Sequence, residues 1–390
     1  MLPSQGREAS SILVSRSKFD SLSVRSPFDR LKAKEDRTPL NMLTKQQLIR
    51  FTLTHSLFPQ ISLEEALKEL GFVQIDPIKS PAPAQDLILF QRVAGYRKGD
   101  IEKQYEALDL EEDFLYAHGF MIQDVWKQLH PRSNVDLTEF DEKVLEAIQN
   151  HLEVNSKDLE KEFGTERVQN WWSGYSRATK MALERLHYYG LVRITRREKG
   201  NRIYQALPKT SNNLSVDERL KKIILAMIRI MEPVSTKTLS ESMHRLHRHF
   251  GHTKVIINTL IDTGVLEEQK LDGITYVWKK GDFQEKKSPK IVRFLCPFDP
   301  VVRDRVRFEH LWGWLYQFEA YVPSVKRIRG YYAMPILFGE EMVGWANIKV
   351  IEGELDVALG FIHGRPKEEV FDRELKKEIE RMKVFLHLQK

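Results

Sequence analysis

Apolar residues recur at helical spacing through most of this chain and at strand spacing only near its C-terminal end. "TKQQLIRFTLTHSLF" (44–58) opens with a Thr44/Gln47 capping box and then carries an apolar face. "SLEEALKELG" repeats the device: Ser62 caps, Glu65 reaches back, and Leu63, Ala66, Leu67 and Leu70 share one face until Gly71 stops the helix. "FVQID" (72–76) then reads as a short strand, its Asp biased towards extended geometry by the following proline.

A longer pattern occurs twice. In 138–207, helix "TEFDEKVLEAIQNHL" leads to a helix capped at Ser156, a third helix "YSRATKMALERLHYYG", and a hairpin "LVRITRREKGNRIYQAL" turning near Gly200–Asn201. In 215–279 the order is the same, with a cap at Ser235 and a hairpin turning at Asp272–Gly273. Helix, capped helix, helix and two-stranded wing is the winged-helix order, a variant of helix-turn-helix. Segment 44–76, with two helices and a strand, is a candidate divergent third copy. Period-2 runs follow in 313–362 ("WLYQFEAYV", "RIRGYYAMPILF", "EMVGWANIKVI", "ELDVALGFI"), predicting an antiparallel meander or small barrel, with "KEEVFDRELKKEIERMKVFLHL" as a terminal helix.

The predicted fold class is therefore α+β: tandem winged-helix domains followed by a small C-terminal antiparallel β-barrel or meander with a terminal helix. The expected boundaries are an unfolded extension over 1–41, then 42–137, 138–210, 211–285 and 286–390. The extension holds eight serines, eight cations and five acids; it lacks the apolar run of a secretory signal, and its acids argue against a transit peptide. Structure begins just behind Met42, a candidate start site.

Composition removes several function classes. At 390 residues, 42% hydrophobic and 30% charged, the chain is long enough for several cores, and no apolar run approaches a membrane span. A single cysteine, Cys296, excludes a disulfide framework and a Cys-based zinc finger. The histidines in "HRLHRHFGH" (His244, His247, His249, His252) lack carboxylates or cysteines at ligand spacing, so no metal is expected. Trp171–Trp172 reads first as a packing anchor, with base stacking as the alternative.

Charge is local rather than global. The net is +6 for the chain, yet residues 177–209 hold nine cations against two acids, a net of +7. That clustering on a third helix and its wing points to nucleic-acid phosphates, with a solvated hairpin as the plain alternative. The third unit's wing carries Glu267, Glu268 and Asp272 and reads as architectural.

In a strand, Gln74 and Asp76 project to one side while Val73 and Ile75 face the core. The plain reading is a polar strand face ending in an Asp–Pro turn. The chemical reading is hydrolysis at an anomeric carbon. The carboxylate would accept a proton from water and stabilise positive charge on the sugar, and the amide would orient that water. One carboxylate suffices when the leaving base is a cationic N7-alkylated purine, which departs neutral.

The chain resembles the AlkZ/YcaQ family of winged-helix DNA glycosylases, which remove alkylated bases and unhook interstrand crosslinks. The resemblance is carried by "FVQIDPI" (72–78), "DLILFQRVAGY" (86–96), "YAHGFMI" (116–122), "ATKMALERLHYYG" (178–190), "GNRIYQA" (200–206) and, most densely, "LCPFDPVVRDRVRFEHLWGWLYQFEAYVPSVKRIRGYYAMPILFGEEMVG" (295–344). It implies Gln74 and Asp76 as the catalytic pair of the Gln-apolar-Asp branch. It also implies a monofunctional hydrolase without cofactor, acting as a monomer on double-stranded DNA with alkylated or crosslinked purines, in the cytoplasm at the nucleoid. Candidate DNA contacts are Arg92, His118, Arg177, Lys180, Arg193, Arg196, Arg197, Lys199 and Arg202. His118 is also the one nearby group that could serve as an acid. Two positions depart from the family pattern: Arg303 stands where an aromatic is common, and "LYAH" (115–118) replaces "YWAH". The rival class is a non-enzymatic winged-helix regulator, which has no use for the Gln-Ile-Asp triplet.

Overall fold

Three small antiparallel sheets of one design run through the first 280 residues of a computed structural model. It describes residues 42–388 except 58, 134, 170–173, 199–200, 209–211 and 245, and the side chains of 247 and 248. The expected extension 1–41, Trp171–Trp172, Lys199, Gly200 and the His247 side chain lie outside the described residues.

The first sheet combines β1 (Phe72–Gln74), β2 (Leu110–Phe114) and β3 (His118–Ile122) in the order β1-β3-β2. In the second, β4 (Val154–Asn155) joins a hairpin of β7 (Val192–Glu198) and β8 (Asn201–Ala206), in the order β4-β8-β7. The pair β5 (Arg167–Gln169) and β6 (Tyr175–Arg177) stands apart as a two-stranded ribbon. In the third, β9 (Val234–Ser235) joins β10 (Leu266–Leu271) and β11 (Ile274–Lys279), in the order β10-β11-β9. Each time a short strand between helices pairs with the second strand of a later hairpin.

This topology shifts the register of the first copy. Its first helix is Leu63–Leu70, its short strand is β1, and its hairpin is β2–β3, so the copy spans 62–122 rather than 44–76. In the other copies a helix starts directly after the short strand, capped by Asn155 or by Ser235. In the first copy residues 75–83 intervene before the helix Ala84–Phe90. That inserted connection carries Asp76.

Local signals act largely as the sequence implies. Thr44, Ser62 and Ser235 cap as expected, and Gly71 ends its helix in the left-handed region at φ 67°. Asn155, not Ser156, caps the helix Ser156–Phe163, because its side chain reaches the Lys157 and Asp158 amides from extended backbone. Asp272 and Gly273 both have positive φ, the geometry of a tight hairpin turn.

Beyond residue 290, β12 (Val292–Phe294), β13 (Met334–Phe338), β14 (Glu341–Ile351) and β15 (Glu354–Phe361) form a meander in sequence order. The edge strands β12 and β15 do not pair, so these strands make the open alternative. Of the four expected strands, "WLYQFEAYV" is absent and "RIRGYYAMPILF" keeps only its end, as β13: residues 313–333 form a loop with one 3₁₀ turn, Ser324–Lys326. Period 2 misleads there because the segment is tied by side chains to its own carbonyls instead of to a neighbouring strand.

Buried clusters cross the expected boundaries. Only the second unit has its own core, built from Val144, Ile148, Leu159, Leu183, Leu186, Val192 and Tyr204. The first copy shares one cluster with the meander and the terminal helix Glu369–Phe385, and another with the third unit. Helix Lys45–Ser56 packs against 278, 295–316 and 337–342. Buried charge staples the same seams. Asp304 accepts from Ser235 N at 2.6 Å and Thr238 Oγ1 at 2.7 Å, and Arg307 donates to the carbonyls of Pro233, Pro300 and Val301. Leu43–Lys390 is one compact unit, and none of its described helices is long and apolar enough to cross a membrane.

Candidate active site

The motif strand is held by the first hairpin. Phe72, Val73 and Gln74 pair with Met121, Phe120 and Gly119, and the Ile75 amide donates to the His118 carbonyl at 2.9 Å. Gly119 is required by close approach: a Cβ there would lie 2.4 Å from the Phe72 ring and 2.5 Å from the Val73 carbonyl oxygen. Alternation sends Val73 and Ile75 into the cluster shared with the meander, as the sequence implies, and Phe72 into the cluster shared with the third unit.

Gln74 is buried, and its Oε1 has no hydrogen-bond partner among the described residues. A buried acceptor left unpaired is costly and marks a strained or functional position. Asp76 sits just past the strand ladder. It is half-buried, and its Oδ1 accepts from the Ile78 amide at 2.9 Å in an Asx turn, so Pro77 and the Asp side chain together set the chain's exit. Burial raises the Asp76 pKa above the ordinary carboxylate value, and the Ile78 N–H opposes only part of that rise. Among the described residues no cation pairs with Asp76. The buried Tyr332 hydroxyl and Cys296 thiol lie 3.3 Å apart. Burial pushes the Cys296 thiol up to about 12, so it stays protonated and is no nucleophile.

Asp86, the other carboxylate near the motif, is buried and occupied. It accepts from Tyr96 OH at 2.7 Å and the Gly99 amide at 2.9 Å, and burial pushes its pKa to about 6. It is a structural group.

The expected DNA contacts fall into three groups. Arg92 is a correction: it is fully buried, forms a bidentate pair with Asp299 at 2.7 and 2.9 Å, and donates to the Ser56 and Ile88 carbonyls. A guanidinium with no exposed surface and every reach satisfied cannot meet a phosphate. It ties the first copy to the C-terminal part.

The wing arginines form the second group, and they also depart from expectation. Strand β2 carries Glu111, Glu112 and Asp113, all buried. Arg193 pairs with Glu111 at 3.0 Å. Arg197 and Arg202 both donate to Glu112, and His118 Nε2 lies 2.7 Å from Glu112 Oε1 and from Arg202 Nη2. Arg132 and His130 take Asp113. Burial alone would raise the Glu112 pKa, but the His118 hydrogen bond and the Arg202 and Arg197 charges hold it well below the usual range. Arg196 pairs with Glu153 and Glu198. The basic wing therefore faces an acidic strand of the preceding copy. "LEEDF" (110–114) held the only sequence signal: three consecutive acids flanked by apolar residues in a segment of strand length.

Arg177 and Lys180 are the third group, and both are exposed. Arg177 pairs with Glu160, and Lys180 lies 3.8 Å from Glu184. Arg303, the departure noted above, stacks with its Cζ 5.3 Å from the Tyr116 ring centroid. Two of the four histidines have separate partners: His249 meets Tyr188 OH at 2.6 Å, and His252 meets Asp217 at 2.9 Å.

Comparison with known proteins agrees with this architecture. Among solved structures, the Streptomyces sahachiroi DNA glycosylase AlkZ superposes with a TM-score of 0.61 at 12% identity, covering 88% of this chain and 97% of that one. At that identity the match speaks for the fold. The family model of AlkZ-like DNA glycosylases matches residues 67–385, from the helix before the motif strand to the end of the terminal helix. The chain belongs to the AlkZ-like DNA glycosylase family.

Proposed function

We propose that this protein hydrolyses the N-glycosidic bond of N7-alkylated, cationic purines in DNA, with Asp76 and Gln74 as its catalytic pair. The observation that carries the reading is that, among the described residues, a buried amide oxygen at Gln74 has no partner and the half-buried carboxylate of Asp76 has no cation. In the ionised state Asp76 faces developing positive charge on the sugar and accepts a proton from the attacking water. Gln74 Oε1 accepts the other proton of that water and fixes its direction. No lysine stands in the Gln-Ile-Asp motif, which supports direct hydrolysis over a covalent enzyme–DNA intermediate. The repeated short-strand-and-hairpin topology supports the winged-helix reading of the three copies, and on that reading the substrate is duplex DNA. A crosslinked N7-purine carries the same cationic leaving group and belongs to the same substrate class.

The lesion spectrum tests this. Neutral adenine or uracil needs protonation as it leaves. Asp76 must be ionised to act as a base and cannot also donate, Asp86 is occupied, and the His118 imidazole is committed to Glu112 and Arg202. Purified protein without added metal is expected to free 7-methylguanine from methylated duplex and to leave uracil in place. Release should fall as pH drops through the Asp76 pKa, which lies above that of an ordinary aspartate. It should hold flat to about pH 8, because no acid is required. Efficient uracil excision, or a basic limb below that pH, would mean a general acid operates.

The grip on DNA is assigned to Arg177 and Lys180 rather than to the wing. Replacing both with alanine should lower the slope of log affinity against log salt by about one for each phosphate that is no longer neutralised. An unchanged slope removes them from the interface.

A further inference from the structure

The two-stranded ribbon β5–β6 turns one of its faces to solvent. Arg167 stands directly across from Arg177, and Gln169 directly across from Tyr175. Cross-strand partners share a face, and so do alternate residues along each strand, so these four side chains form one patch. All four are exposed, Tyr175 at 68%, while Val168 and Ser176 on the other face are half-buried.

The fold does not balance the charge of this patch. Like charges directly opposite each other weaken a ribbon. Glu160 takes Arg177, but Arg167 has no acidic partner among the described residues. Residues 164–180 hold Arg167, Arg177 and Lys180 against a single acid, Glu166. Strand β6 also runs straight into the helix Ala178–Tyr188, and Arg177 stands at its N-cap. That helix end makes no side-chain cap bond and has no acid in its first turn, so the negative charge its dipole favours is missing as well. The face and the helix end both call for an anion from outside.

The chemistry of the face selects which anion. Between the two guanidiniums lie an amide, which can donate and accept, and an aromatic ring. A duplex groove presents the complement: phosphates along its rims and base edges on its floor. The family makes DNA the fitting partner. Width selects the groove, because a two-stranded ribbon enters the major groove, about 12 Å wide, and is too broad for the minor groove, about 6 Å wide.

We propose that the outer face of β5–β6 docks in the major groove of duplex DNA, with Arg167 and Arg177 on rim phosphates and Gln169 and Tyr175 reaching the base edges between them. The inference rests on the duplex-DNA reading above and adds to it the element and the groove. Its test reads binding and is separate from base release.

Affinity for undamaged duplex is measured by fluorescence anisotropy across a salt series. Arg167→Ala should lower the slope of log affinity against log salt by about one. Tyr175→Ala should weaken binding about fivefold with the slope unchanged, since the ring carries no charge. A duplex whose major groove is filled by glucosylated hydroxymethylcytosine should bind the wild type about tenfold more weakly than plain duplex. The same duplex should cost the Arg167→Ala/Tyr175→Ala variant little, because the contacts it blocks are already gone. Both positions are exposed, so the melting temperature is expected to hold; Arg167→Gln and Gln169→Ala repeat the test if it does not. Variants that keep wild-type affinity and slope overturn the proposal, and so does a wild type that binds filled-groove and plain duplex alike. Ribbon-dependent duplex binding by a wild type that frees no 7-methylguanine sinks the glycosylase chemistry and leaves the ribbon standing. Base release by a wild type whose ribbon variants bind duplex unchanged does the reverse.

Discussion

Asp76→Asn is expected to reduce release of 7-methylguanine about a thousandfold while changing duplex affinity little, because the carboxylate's charge matters only where positive charge develops on the sugar. The substitution keeps size and shape, and an asparagine oxygen can still accept from the Ile78 amide as Asp76 does at 2.9 Å. The fold should therefore be retained. Since burial already disfavours the ionised form of Asp76, the neutral amide should even stabilise the folded state slightly near neutral pH. The checks are single-turnover base release, binding to undamaged duplex and the melting temperature, all on the same preparation. Near-wild-type release in the variant would remove Asp76 from the mechanism. A parallel loss of affinity would make it a binding group instead.

Replacing Arg197 and Arg202 together with alanine is expected to act on stability first. Glu112 is 1% exposed and depends on those two guanidiniums and on His118. Leaving a buried charge short of partners costs about 3–5 kcal/mol. The pH dependence gives the sign. In the wild type the Glu112 pKa is depressed, so its stabilisation is present above the unfolded carboxylate value and is lost only as pH falls through the low folded one. In the variant, burial dominates and lifts the folded pKa above the unfolded value. The penalty then belongs to the ionised form and shrinks as acid supplies a proton. Denaturant unfolding between about pH 8 and pH 5 should show the deficit of the variant narrowing towards acid. A small deficit that does not change with pH, joined to a reduced salt slope in DNA binding, would return these arginines to the phosphate-contact role.

The contrast between these two sites shows what can be read along a chain. Capping boxes, the Gly71 stop, the Asp272–Gly273 turn and the helical periods are local: each is decided by residues three or four apart. They were legible, and so were the repeated helix-and-hairpin order and the Gln74-Ile75-Asp76 triplet. Where strand alternation competed with side-chain hydrogen bonds to the segment's own backbone, the side chains won. The period-2 run in 313–333 became a loop because Arg327 and Glu319 bind the loop's own backbone.

The sequence by itself determined the α+β class, two hairpin-bearing copies, the family resemblance and the motif on its short strand; the hairpin of the first copy came from the fold. The tertiary structure decided which charges are available. Arg92 pairs with Asp299, 207 residues away, and the wing's Arg197 and Arg202 with Glu112, 85 and 90 residues away. A cation's reach for phosphate depends on whether a buried acid has already claimed it. That is a property of long-range packing, which charge counts along the chain cannot contain. Likewise the triplet showed two polar groups on one face. Only the fold shows that, among the described residues, Gln74 Oε1 is buried without a partner and Asp76, on the inserted connection 75–83, lies without a cation.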